Sequence, residues 1–182
     1  MHLTNGFLPK YEFSETHSIE IHAELPVVMA AVEAFRPEDD RFFRWAIALR
    51  ELPMRLRCRG QSKSPAAFGM DNFTLLGCVE DELVYALAGK LWKSDFGQVK
   101  LQGPEAFVVF NEPGSVKLVV AFSCQTVKPM VTQLETQTRV HCLDANALSS
   151  FRPYWYLIRP ISGWIRRRML KTIASRCRTH DR

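Results

Sequence analysis

The side chains that could do chemistry in this sequence are five histidines, five cysteines and a few grouped carboxylates. The histidines are His2, His17, His22, His141 and His180. His22 and His141 alternate with apolar residues in strand-like runs. They fall on the polar faces, where a solvated imidazole is a simpler reading than a base or a ligand. The cysteines are Cys58, Cys78, Cys124, Cys142 and Cys177. They form no CxxC pair and their number is odd, which argues against a zinc module and against a disulfide framework. Cys124 and Cys142 sit in apolar runs and read as small core residues. Glu80, Asp81 and Glu82 make an acidic turn. Asp39 and Asp40 suit a helix N-terminus better than a facing acid/base pair. There is no GxGxxG, GxxxxGK[ST], HExxH or GxSxG. No catalytic, cofactor-binding or metal-binding residue is assigned, and no cofactor is expected.

The aromatic residues carry more signal, with twelve Phe, four Trp and four Tyr. Core packing accounts for most of them. A binding cavity would be walled by the same types, with a few polar tips to orient a ligand. The candidate ligand-binding residues are Tyr85, Trp92, Phe107, Phe110, Phe122, Thr136, Thr138, Trp155 and Ile158. One alternative arrangement would be chemically richer. A one-residue slip in the last strand would turn Glu135, Arg139 and His141 inward as a polar cluster.

These residues need elements to position them. Ser18–Ala23 alternates as a half-buried strand. Pro26 opens a helix whose apolar face is Val27, Val28, Ala31, Val32 and Phe35. A second helix follows Glu38, Asp39 and Asp40 and ends at Pro53. Met54–Met70 is irregular, with four basic residues up to Lys63 and a Ser-Pro, and reads as a strand end or a mobile loop, either a lid or a surface connection. Strands are expected at Phe73–Val79 and Glu82–Trp92, joined as a hairpin at Glu80-Asp81. Others follow at Ala106–Phe110, Val116–Thr126 and Gln133–Cys142. Turns fall at Ser94–Gly97, Asn111–Gly114 and Pro129. Asp144, Ser149 or Ser150 can cap a last helix. Its apolar stripe is Trp155, Ile158, Ile161 or Ser162, Ile165, Met169 and Ile173. Arg159, Arg166, Arg167 and Lys171 are expected on its other faces. Pro160 and Gly163 should bend it. The order is β, α, α, about six strands, then a long α, an α+β class with an antiparallel meander.

At 47% hydrophobic and 24% charged residues, the chain has the composition of an ordinary globular protein. The net charge of +5 is uneven. From Arg152 onward there are nine Lys or Arg and one acid, while the first 151 residues carry a net −3. The Arg166-Arg167-Arg168 run beside Trp164 could meet a membrane surface, although a solvated helix face explains it as well. Nucleic acid is not an expected partner, since no aromatic RNA-binding run is present. Reduced cysteines and the lack of an export signal lead to an expected cytoplasmic location.

Several runs carry a resemblance. They are Gly89-Lys90-Leu91-Trp92, Phe110-Asn111-Glu112-Pro113-Gly114, Thr136-Gln137-Thr138-Arg139-Val140, and Phe151-Arg152-Pro153-Tyr154-Trp155 continuing into Ile158-Arg159-Pro160-Ile161-Ser162-Gly163. With the element order, they resemble an uncharacterised bacterial branch of the START-like superfamily, also called SRPBCC or polyketide cyclase/dehydrase-like. The resemblance covers roughly residues 10–175 of a single domain spanning 1–182. It implies a helix-grip fold, in which a curved antiparallel sheet wraps a long C-terminal helix around a hydrophobic cavity. It also implies that the chain binds or carries a small hydrophobic ligand such as a lipid, polyketide or aromatic compound. The alternatives are a cyclase or aromatase using an inward His141, Glu135 or Arg139, and a protein acting on quinone-bearing membranes or ribosomes through its basic helix. The superfamily shares no catalytic triad, so no catalytic residue is carried over.

Overall fold

The computed structural model describes residues 2–36, 72–93 and 97–179. The expected second helix and the Met54–Met70 segment lie outside the described residues, as do Cys58, His180 and most of the Ser94–Gly97 turn. The elements are α1 (Leu3–Phe7), β1 (Phe13–Ile21), α2 (Leu25–Glu33), β2 (Thr74–Cys78), β3 (Glu82–Gly89), α3 (Pro104–Val109), β4 (Val116–Lys128), β5 (Val131–Cys142) and α4 (Ala145–Thr179).

The strands form one curved, unclosed antiparallel sheet in the order β1-β5-β4-β3-β2. Four of them make a meander: short turns join β2 to β3 and β4 to β5, where antiparallel pairing is the reachable one, while residues 90–115, which include α3, connect β3 to β4. The acidic turn joins β2 to β3, where the Val79 N–H donates to the Glu82 carbonyl (2.9 Å). The Pro129-Met130 turn joins β4 to β5. β1 returns to the free edge of β5, with Phe13 opposite Val140 and Ile21 opposite Thr132.

The run at 106–110, expected as a strand, lies mostly in the helix α3. Pro104 is pre-set for a first helical turn, and Gly103 ahead of it has a φ of 95° that few other residues tolerate. A six-residue helix can bury only one side. It buries Phe107 and leaves Val108 and Val109 in solvent. Four strands follow α2 among the described residues, rather than about six.

The sheet has two differently covered faces. On the inner face lie α2 and α4, and α4 packs on β1, β5 and α2. Two apolar clusters fill this layer. One gathers Val120, Phe122 and Leu134 of the sheet with Val28, Val32, Met169 and Ile173 of the helices. The other gathers Phe13, Leu87, Val116 and Val140 with Phe151 and Trp155. On the outer face, apolar cover among the described residues lies over β2–β4, where α1 and α3 bury Leu76, Val84, Ala86, Val119 and Ala121 with Leu8 and Phe107.

α4 runs continuously through Pro153 and Pro160. Asp144 starts it. The Ala147 N–H donates to Asp144 Oδ1 (2.7 Å), and the N–H of Gly114 donates to Oδ2 (2.5 Å), so one carboxylate caps the helix and ties it to the turn before β4. These backbone donors hold the Asp144 carboxyl below its ordinary value of 3.8. A depressed carboxyl contributes stability that is complete above 3.8 and fades as pH falls through the lower folded value. In an acid titration followed by circular dichroism, Asp144→Ala should therefore lose stability at neutral pH and show a flatter acid limb than the parent chain.

Candidate functional site

Strand periodicity places Phe13, Glu15, His17, Ile19 and Ile21 on the inner face of β1. Thr132, Leu134, Thr136, Thr138, Val140 and Cys142 occupy the inner face of β5, all buried. The register sets His17 opposite Thr136 and Glu15 opposite Thr138. Directly opposed residues have Cβ atoms about 4.5–5.5 Å apart, so the four side chains form one compact polar square. On the next strand Val120 and Phe122 continue the same two rows, and Tyr85 and Leu83 follow on β3. The square thus lies between the two apolar clusters, beneath α4.

Within the square, His17 Nε2 and Glu15 Oε1 are 2.9 Å apart. α4 adds Arg166, whose Nη1 donates to Thr136 Oγ1 (2.8 Å). Burial brings the Arg166 guanidinium down to about 10, opposed by the field of Glu15. It is still protonated at neutral pH. No carboxylate among the described residues is within ion-pairing distance of it. Across the sheet, burial pushes the Tyr85 phenol up, while Arg36 pulls it down.

Gly163 lets the helix come this close. A Cβ at that position would stand 2.6 Å from Glu15 Oε1 and 3.3 Å from His17 Nε2. In an ordinary helix interior Gly→Ala gains roughly 0.5–1 kcal/mol. Here the methyl must push the flexible Glu15 side chain aside and break its bond to His17, a loss of about 1 kcal/mol. Gly163→Ala should therefore leave stability near or below that of the parent chain in urea titrations. It should also shift the His17 imidazole resonances in NMR spectra.

Solvent reaches the square. The Glu15 and His17 side chains keep 11% and 14% of their surface exposed. Among the described residues, the Ser115 hydroxyl is the one buried side-chain polar atom without a partner. The Thr138 hydroxyl, also buried, stands opposite Glu15 in the same square. Farther along the same layer, α2 and the end of α4 part in an apolar cleft of about 490 Å³ between Pro26, Val27, Ala30, Ala31, Arg176 and Cys177.

Of the residues expected to line a cavity, Thr136 and Thr138 belong to the square, and Tyr85 and Phe122 share its face of the sheet. Trp155 and Trp92 lie in the neighbouring aromatic cluster, and Ile158 is half-buried on α4. Phe110 is half-buried just past α3. Phe107 is on the opposite face of the sheet, because α3 turns it onto Val84 and Val119. Glu135, Arg139 and His141 also point to the outer face. There Arg139 bonds to Gln137 Oε1 (2.8 Å) and Asn5 Oδ1 (2.7 Å), and His141 Nδ1 is 3.2 Å from Glu12. The slipped register is not adopted, and a reaction relying on those three residues loses its site.

Sequence reasoning missed Glu15, His17 and Arg166. Extending the alternation of Ile21 and Ile19 backward by two steps would have found the first two. Arg166 was expected on an outer face of the helix, but one turn below Gly163 it meets Thr136 instead. The buried Cys124 and Cys142 thiols are pushed up to about 12 by burial, so neither is a nucleophile near neutral pH. Among the described residues no group of His, Cys, Asp or Glu could hold a metal ion, and no helix is long and apolar enough to cross a membrane. Searches against protein-family models, curated proteins and solved structures find no match to this chain.

Proposed function

We propose that this chain adopts a START-like helix-grip architecture and binds or carries a small, largely apolar molecule between its sheet and α4. One observation carries the reading: a solvent-reached polar square set into an otherwise apolar layer. Buried polar groups cost free energy unless they are satisfied. Filling these positions with apolar residues would be the cheaper solution for a layer that serves only as a core. A few polar groups amid aromatic and aliphatic walls are instead the usual make-up of a small-molecule site. Phe122 and the Phe13, Phe151 and Trp155 cluster border the square and would supply the contact area. Naphthalene derivatives are suitable probes. Calorimetry should give 1:1 binding, and Thr138→Trp, which sets a bulky ring in the square, should abolish it. Absence of binding by the parent chain, or binding that survives Thr138→Trp, overturns the reading.

A second reading concerns the opposite side of α4. That 35-residue helix has no acidic residue. Arg152, Arg159, Arg167, Lys171 and Arg178 are exposed beside Tyr156, Leu157 and Trp164. Cations mixed with Trp and Tyr suit an anionic lipid surface. Co-sedimentation with phosphatidylglycerol vesicles that salt abolishes, and that Arg159→Glu with Arg167→Glu removes, supports this reading. Equal sedimentation with neutral vesicles refutes it.

A further inference from the structure

We infer that the polar square recognises a carboxylate, so that the molecule held beneath α4 is an amphipathic organic acid whose charged end sits at Arg166. This deepens the proposed function and rests on it. Arg166 reaches inward from α4 and spends one donor on Thr136 Oγ1, a neutral acceptor, at 2.8 Å. A guanidinium has five N–H donors in a planar fork that matches a carboxylate. No carboxylate among the described residues pairs with it. Glu15, whose charge acts on it electrostatically, has one oxygen engaged by His17 at 2.9 Å.

The neighbours fit the same ligand. The Thr138 hydroxyl and the partly exposed His17 ring belong to the same square and can adjust as donors or acceptors to a second carboxylate oxygen. Glu15 has the opposite influence: its charge repels an incoming anion while its bond orients the His17 ring. The aromatic cluster of Phe13, Phe151 and Trp155 lies along the strands at one end of the square and Phe122 stands beside Thr136 on β4, so an apolar body attached to the acid would extend over hydrophobic surface either way.

The test compares 2-naphthoate with 2-naphthamide, which share shape and apolar body but differ in charge. Calorimetry on the full chain should show naphthoate binding roughly ten- to hundredfold more tightly. Arg166→Gln should bring naphthoate down to the level of naphthamide and leave naphthamide unchanged, which a general loss of structure could not do. Arg166→Lys should retain part of the preference. Glu15→Gln should tighten naphthoate severalfold without moving naphthamide, and it decides the matter alone should Arg166→Gln not fold. Equal affinity of the parent chain for both probes overturns the carboxylate inference while leaving the apolar site standing. Failure of both probes to bind overturns both.

Discussion

Phe151→Ala is expected to cost about 3–5 kcal/mol, the range for emptying a fully buried aromatic position. Phe151 is 1% exposed and sits where four other rings converge. Its ring centroid is 5.5 Å from Phe13, 5.6 Å from Tyr154, and 6.1 Å from both Trp92 and Trp155. The tilted and edge-on geometries add roughly 0.5–1.5 kcal/mol per pair beyond area burial. The residue also lies at the start of α4 and against β1, so the void would open at the seam holding helix to sheet. For a chain of this size the melting temperature should fall by roughly 6–20 °C. Phe151→Leu, which keeps most of the volume, should lose less than half as much. Urea denaturation of both variants measures this. A loss under about 1 kcal/mol for the alanine variant would mean that the cluster repacks, and that the seam is not where α4 gains its hold.

The second large effect is expected at Glu82, which is 3% exposed at the start of β3. Its carboxylate gathers the first donors of α1. The Leu3 N–H donates to Oε2 (2.6 Å), the Thr4 N–H to Oε1 (3.1 Å), and the Thr4 hydroxyl to Oε1. A buried carboxylate is tolerable when such donors surround it. Glu82→Ala deprives these donors of their acceptor and detaches α1, which covers part of the outer face. The expected cost is about 2–4 kcal/mol, from charged hydrogen bonds of roughly 1.5–3 kcal/mol each with partial re-solvation of the freed groups. Glu82→Gln keeps one acceptor oxygen but turns an NH₂ toward a donor, and should lie between. Denaturant titration gives the size, and limited proteolysis should show cleavage between residues 8 and 12 in the alanine variant first. Full protection there would show that α1 is held by Leu3 and Phe7 packing instead.

These effects indicate what the sequence could show by itself. The long strands were legible because Val116 to Phe122 is a β-branched and aromatic apolar run, and because Leu134 through Cys142 alternate strictly with polar residues. The hairpin at the acidic turn and the Asp144 cap were legible from local chemistry. β1 was read five residues short, because the middle of its inner face is Glu15 and His17, and a hydrophobic alternation stops registering where the inward residues become polar. Arg166 was hidden for the same reason, since a charged residue on a basic helix is assigned to solvent by default. The candidate site was thus least legible in its central residues, because these depart from the pattern that identifies an interior. α3 is hard to read because a run of Ala, Phe and Val has the composition of a strand, and the signal for a helix rests on the Gly103-Pro104 pair ahead of it.

The uneven coating of the sheet has a mechanical consequence. β3 and β4 are shielded above and below, whereas β1 is an edge strand, with its outer side chains in water. The central amides should be the last to trade their hydrogens for deuterium, and those of β1 among the first. Glu15 and His17 ride on that yielding margin. A visitor lodged beside them would stitch the loosest strand to α4, and the slowing of exchange along β1 would register its arrival.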